Sequence, residues 1–271
     1  MDKRLYKATA RVAHQSLAGQ TNLPLTEGEV TTLAVPLADL LASPGGARER
    51  QLSLGEAFWV IDHDQGHAFG FAEKDGYCGW LAEGALGPEL EATHWVSTPG
   101  THLYAGPKVQ AREVMALSLG ARLRVMGQVG DWAETPLGFV PAVHLAQIGQ
   151  VLRDPVAVAE GFLGTPYLWG GNSRAGIDCS GLAQAAHLAC GIGMPGDSDL
   201  QEAVGAELPE VAELRRGDLL FWRGHVALVV DAARLIHANG HTMSVAYEGT
   251  AACIARIAAQ GGGPVTHQRR V

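Results

Sequence analysis

Cysteine is scarce in this chain: Cys78, Cys179, Cys190 and Cys253 are the 4 among 271 residues. No two of them form a C-x-x-C pair, so the sequence encodes neither a disulfide scaffold nor a zinc knuckle. Long apolar runs are missing too. A stretch such as Val226 to Val230 falls far short of the ~20 residues that cross a bilayer. The basic segment Met1 to Lys7 is not followed by an apolar run of ~7–15 residues and a small-residue cleavage site. The expectation is a cytoplasmic protein with no membrane partner. Positive charge is in the minority, with 20 Lys and Arg against 28 Asp and Glu and a net charge of −8. The resulting pI of about 5.7 argues against nucleic acid as a partner. In abundance instead are glycine and proline, 35 and 13 residues, together well above their average share of about 12%. Turns are therefore frequent, and many short strands are expected.

At ~100–200 residues per domain the length predicts one to three domains. From Leu37 to about Trp95, short apolar runs such as Ala57-Phe58-Trp59-Val60-Ile61 and Ala68-Phe69-Gly70-Phe71-Ala72 alternate with turn signals, the pattern of a small all-β unit. Val96 to about Ile148 repeats the plan: Gly79-Trp80-Leu81 through Leu86 matches Gly138-Phe139-Val140 through Leu145. Texture changes at Asp154-Pro155, where a helix over Val156 to Leu163 is expected with Pro155 in its first turn. A small-residue helix over Asp178 to Cys190, ended by Gly191, and apolar strands Asp218–Trp222, His225–Val230 and Leu235–Ala238 follow. The fold class is α+β. The domains read as an N-terminal arm 1–30, all-β units 31–95 and 96–150, and a third domain 151–271.

The chemistry concentrates in this third domain. Glycines and aromatics crowd Gly164-Thr165-Pro166-Tyr167-Leu168-Trp169-Gly170-Gly171, and Gly176-Ile177-Asp178-Cys179-Ser180-Gly181 then opens a helix on a cysteine. A thiol on a first helical turn faces unsatisfied N–H groups, which favours a low pKa and a nucleophilic thiolate. His225 stands at the mouth of one apolar strand and His237 in the next. Whether they share a face depends on the pairing register around Asp231 to Arg234, which the sequence leaves open.

These pieces resemble the NlpC/P60 cysteine peptidases, papain-like enzymes acting on cell-wall peptides. The resemblance lies in Y-x-W-G-G, D-C-S-G-L, R-x-G-D-L-x-F-W before G-H-V-A-L-V, and I-H-A, spanning most of Asp154 to Ala238. The G-[WF]-[VL]-x-x-x-x-L endings of the first two units resemble bacterial SH3 domains. The resemblance implies Cys179 as nucleophile, His225 as general base and His237 as the residue orienting its ring, with no metal or organic cofactor. Two SH3-like units in front are similar to the γ-D-glutamyl-L-diamino acid endopeptidases of murein-peptide recycling. That branch implies Glu49, Tyr77, Asp178 and Ser180 as residues receiving a free N-terminal L-Ala, and a small murein peptide as partner. Gly196 departs from the arginine common at this place in related sequences. The alternatives are a same-fold thiol acyltransferase or lipid deacylase, and a non-catalytic wall-binding SH3 protein.

Other candidates read more plainly. His63 and His67 bracket the turn Asp64-Gln65-Gly66 rather than a helical zinc site. Gly261-Gly262-Gly263-Pro264 lacks the lysine of a phosphate loop. Cys190 is expected to be structural, and His187 and His241 to lie at the surface or rim.

Overall fold

A computed structural model describes residues 2–209 and 211–271, which fall into two compact units, Met1–Gln150 and Val151–Val271. In the first unit, a seven-stranded sheet runs from Glu29–Leu33 to Leu86–Gly87 and encloses Leu33, Leu40, Leu52, Phe58, Val60 and Leu81. His63 and His67 flank its tight hairpin, where Asp64 pairs with His67 across Gln65-Gly66, so their spacing belongs to a turn.

A second set of strands, His94–Val96 and Gly100–Tyr104 through Leu145–Gln147, forms a five-stranded and a three-stranded sheet around Leu103, Leu117, Leu123 and Val140. The strand His94–Val96 pairs with Arg122–Leu123 and Leu145–Gln147. It belongs wholly to the second set, so the division between the sets falls before His94 rather than after Trp95. The two sets are joined by more than chain connectivity. Leu54 reaches into the second core, and the Arg122 N–H donates to the Leu54 carbonyl at 2.8 Å. Gly55 makes this approach possible, since a Cβ there would lie 2.3 Å from the Arg122 carbonyl oxygen.

The N-terminal segment is folded rather than a free arm. Ala13–His14 pairs in parallel with Leu25–Thr26, the Lys7 ammonium sits 3.8 Å from the Phe71 ring centre, and the Cys78 N–H donates to the Arg4 carbonyl at 2.7 Å. Cation–π and backbone hydrogen-bond contacts to the first sheet thus hold a segment that carries little regular structure of its own.

The second unit is built on a six-stranded antiparallel sheet in the order Ala206–Glu207, His267–Arg270, Leu219–Trp222, His225–Asp231, Arg234–Asn239, Ser244–Gly249. Leu220, Trp222, Ala227, Val229 and Leu235 share one core with Cys253 of the helix Thr250–Ala259, each large side chain contributing about 1.5–3 kcal/mol of burial. The helix Cys179–Ala189 packs against the His225 and His237 strands, and its small residues Ala183 and Ala186, fully buried, allow close approach. Asp154 caps the helix Pro155–Glu160 by accepting from the Val156 N–H at 2.9 Å. That helix ends at Glu160, short of Leu163, because the chain turns at Gly161 to Gly164. Among the described residues no helix is long and apolar enough to cross a membrane.

His187 corrects one expectation. It is 1% exposed, not at the surface, and its Nδ1 lies 2.8 Å from the Ala183 carbonyl oxygen, to which it donates. Desolvation lowers its pKa, so it is a neutral core histidine satisfied within its own helix.

Candidate active site

The Cys179 helix begins where the sequence supplies a strong cap. The Asp178 carboxylate accepts from the Gly181 N–H at 2.6 Å, the Ser180 hydroxyl at 3.1 Å and the Gly170 N–H at 2.8 Å. It thereby ties the glycine-rich turn to the helix start. Gly181 is required by that contact, because a Cβ there would lie 2.5 Å from the Gly171 carbonyl oxygen. Gln201 adds a second brace, donating from Nε2 to the Ser180 and Pro195 carbonyls at 2.9 Å each. Cys179 is thus fixed at the first helical position, 7% exposed.

Its sulfur faces backbone N–H groups of Cys179, Ser180 and Val226, which favour a thiolate, but burial and the Asp178 charge outweigh them and push the thiol up to about 12. Burial thus works against the low-pKa thiolate expected from the helix-start position and favours the neutral thiol. The phenol of Tyr167 is pushed up as well, by burial and by the neighbouring Cys179 and Asp178. Tyr167 thus lies beside the nucleophile, a placement that its Y-x-W-G-G motif did not by itself reveal.

Register decides the histidines. Leu228 pairs with Ile236, and a bulge follows between Val229 and Asp231. With this pairing His225 and His237 fall on the same sheet face as diagonal neighbours. His225 Nε2 lies 2.8 Å from His237 Nδ1, and His237 Nε2 lies 3.1 Å from Glu248 Oε2. Arg256 closes the row, donating from Nε and Nη2 to the two Glu248 oxygens at 2.8 and 2.7 Å.

The direction of every proton in this row follows from its far end. The Arg256 guanidinium holds Glu248 down to about 2, so the carboxylate is ionised and can only accept. His237 therefore carries its proton on Nε2. Desolvation lowers His237 to about 4, so the ring is neutral near pH 7, and its bare Nδ1 accepts from the Nε2–H of His225. His225, brought down to about 3 by burial first and by the neighbouring His237, keeps Nδ1 free as a base. The arrangement can take a proton from a thiol at one ring nitrogen while the other is held by an oriented acceptor.

Comparison with known proteins places this architecture. The "NlpC/P60 family" model matches residues 164–257, and the "Bacterial dipeptidyl-peptidase Sh3 domain" model matches residues 40–86. Peptidoglycan endopeptidase RipB of Mycobacterium tuberculosis is 34% identical over 184 residues, covering 58% of this chain and 76% of RipB. The chain belongs to the NlpC/P60 family. A solved NlpC/P60 structure from Bacillus cereus superposes with a TM-score of 0.76 at 21% identity, over 89% of this chain and 99% of that one. It shows a shared fold across nearly the whole length. Gamma-D-glutamyl-L-lysine dipeptidyl-peptidase of Bacillus subtilis is 36% identical over 104 residues, 35% of each chain. Several curated relatives are longer in proportion, the chain spanning 17–61% of their length.

Within this NlpC/P60 unit the structure brings together Cys179, Asp178 and Ser180 at the helix start, and His225 with His237 on the sheet. Glu49 and Tyr77 belong to the first unit: Glu49 is half-buried on Arg48–Ser53, and Tyr77 is 2% exposed within the first core. Glu248 and Arg256 went unread in the sequence. Glu248 lies on a short strand whose alternation Val245-Ala246-Tyr247-Glu248, set beside His237, is the signal that could have found it, whereas Arg256 lies on the helix that follows.

His237, Glu248 and Cys253 place one potential metal-ligand atom each within 4.8 Å of one another. Arg256 occupies that position electrostatically. It bonds both Glu248 oxygens and sits 3.7 Å from the Cys253 sulfur, while burial pushes the Cys253 thiol up to about 12. The donor set therefore suits a guanidinium better than a divalent cation.

Unequal roles for the histidines lead to unequal losses. His225→Ala removes the base and should lower kcat by ~10²–10⁴-fold. His237→Ala removes only the orienting acceptor and should cost less. Steady-state kinetics of the two variants check this, and a His225→Ala enzyme more active than His237→Ala would reverse the assignment.

Proposed function

We propose that the protein is a cysteine peptidase that hydrolyses the bond between γ-D-Glu and an L-diamino acid in short murein peptides bearing a free N-terminal L-Ala. We place this activity in the cytoplasm, in recycling of cell-wall peptides. The observation that carries the peptidase reading is the tautomer-locked row from Glu248 through His237 to His225, whose strand packs against the helix that Cys179 opens. The substrate class is supported by the similarity to the gamma-D-glutamyl-L-lysine dipeptidyl-peptidase of Bacillus subtilis. Four free thiols, three of them buried, fit a reducing compartment.

In this reading the Cys179 sulfur attacks the γ-carbonyl as its proton passes to Nδ1 of His225. Backbone N–H groups at the helix start are placed to receive the oxyanion. His225 then gives the proton to the departing amine, leaving a thioester. Water, losing a proton to His225, hydrolyses the thioester and restores the thiol.

Recognition of the free amine is the part to test. Removing one partner of a buried ion pair costs on the order of 3–5 kcal/mol, so N-acetylating the substrate alanine should lower kcat/KM by at least ~10²-fold. Intact sacculi, whose L-Ala is amide-linked, should react poorly for the same reason. Mass spectrometry of L-Ala-γ-D-Glu-L-Lys, its N-acetyl form and sacculi provides the comparison, with Glu49→Gln probing one carboxylate assigned by resemblance. Equal rates on all three substrates would overturn the recycling reading.

A further inference from the structure

Beside His225 lies a cavity of about 420 Å³ that the proton relay leaves unused. Trp222, Arg223, Asn239, His241 and Arg256 contribute to its wall, and none of the residues lining it is acidic, although the chain as a whole carries a net charge of −8. Local charge therefore runs against the global balance. Arg256 is saturated by Glu248 and by Gln260 Oε1 at 3.0 Å. Arg223, by contrast, is exposed and has no ion pair among the described residues.

The polar groups of the cavity are donors in excess. The indole Nε1 of Trp222, a residue of this wall, is shielded from solvent and has no acceptor among the described residues. The Asn239 side-chain oxygen, the obvious acceptor nearby, is already spent on the N–H groups of His241 and Thr242 and the Thr242 hydroxyl. An unpaired guanidinium on a wall without carboxylates complements a carboxylate ligand.

Position says which carboxylate. His225 lines the cavity and is also the group that returns a proton to the departing amine. An α-amino acid leaving group carries its carboxylate on the carbon next to that amine, only two bonds from the nitrogen. We propose that this cavity binds the free α-carboxylate of the diamino acid on the leaving-group side, with Arg223 as its counter-ion. The inference rests on the peptidase reading and adds a requirement at the other end of the substrate: the diamino acid must be C-terminal.

The test is designed to read binding apart from turnover. Calorimetry with Cys179→Ala protein compares L-Ala-γ-D-Glu-L-Lys with its C-terminal amide, and repeats both on Cys179→Ala/Arg223→Gln. Hydrogen bonds to charged groups are worth ~1.5–3 kcal/mol, so the acid should bind roughly 10–100-fold more tightly than the amide. Arg223→Gln should collapse that ratio toward one. Equal affinity for acid and amide, or a preference that survives Arg223→Gln, would overturn the proposal. Turnover by the unmodified enzyme is scored separately. Failure to hydrolyse either peptide would overturn the peptidase reading, while the calorimetric ratio would still decide for or against the carboxylate cavity.

Discussion

Replacing Cys179 by alanine should abolish turnover, with a loss of roughly 10⁴–10⁶-fold, while the melting temperature stays close to that of the parent. Nothing else in the site can form the covalent intermediate. Cys190 is the most exposed of the four thiols but lies at the far end of the same helix, and Cys78 and Cys253 are buried. The substitution removes one sulfur from a position braced by Asp178 and Gln201, so the fold has no reason to move. The protonation state is testable with the same pair of proteins. Because burial pushes the thiol up to about 12 and brings His225 down to about 3, the neutral pair prevails between those limits. The ultraviolet thiolate absorbance of parent minus Cys179→Ala should therefore be absent at neutral pH and appear only in strong alkali. Since His225 stays unprotonated well below the ordinary imidazole value of about 6.5, kcat/KM should show no loss as pH falls through that value. A thiolate band at pH 7 would show that the backbone N–H groups around the sulfur outweigh its desolvation. Retained activity in Cys179→Ala would remove the nucleophile from the mechanism altogether.

The parts of this site that were legible in the sequence are those governed by local rules. Strands expected at Asp218–Trp222, His225–Val230 and Leu235–Ala238 lie within a residue of those observed at Leu219–Trp222, His225–Asp231 and Arg234–Asn239, because apolar runs bounded by turns leave few alternatives. Helix ends were off by as much as three residues, since Asp178 and Cys190 are caps rather than helical residues and Gly161 turns the chain early. What local rules do not contain is register and burial. The bulge between Val229 and Asp231 sets which residues of neighbouring strands share a face, and it lies within the hairpin whose pairing was left open. Likewise the helix-start rule alone suggested a thiolate at Cys179, whereas its protonation depends on how completely the rest of the unit excludes water. His187 makes the same point: its position gave no sign that it points into the core. Glu248 and Arg256 are distant in sequence from Cys179, and their meaning exists only through a row of side chains crossing three strands.

Glu248→Gln puts that row to its hardest test. The carboxylate serves both neighbours at once, accepting from Arg256 through two oxygens and from His237 through one of them. An amide has a single acceptor oxygen. If that oxygen stays on Arg256 Nε, the NH₂ group faces His237 Nε2, which must then give up its proton to accept. The His237 proton moves to Nδ1 and confronts the Nε2–H of His225, so the base is presented in the wrong tautomer. If the amide turns over, His237 is served but Arg256 loses a partner. In either orientation a negative charge is gone, and the uncompensated guanidinium further lowers the proton affinity of both histidines, a direction its charge already exerts on each. Both effects weaken the base. The expected result is a fall in kcat of ~10²–10⁴-fold, the range seen when an orienting carboxylate is replaced by its amide and the tautomer is lost, with KM little changed. Stability should fall by about 1.5–3 kcal/mol, the worth of a hydrogen bond to a charged group, read as a shift in urea midpoint. The double variant Glu248→Gln/Arg256→Gln separates the two causes: it removes the stranded positive charge, so recovery of kcat in it assigns the loss to electrostatics, and persistence assigns it to the tautomer. A Glu248→Gln enzyme with unaltered kcat would end the relay at His237 and reduce the carboxylate to a strut between a strand and the helix that follows it.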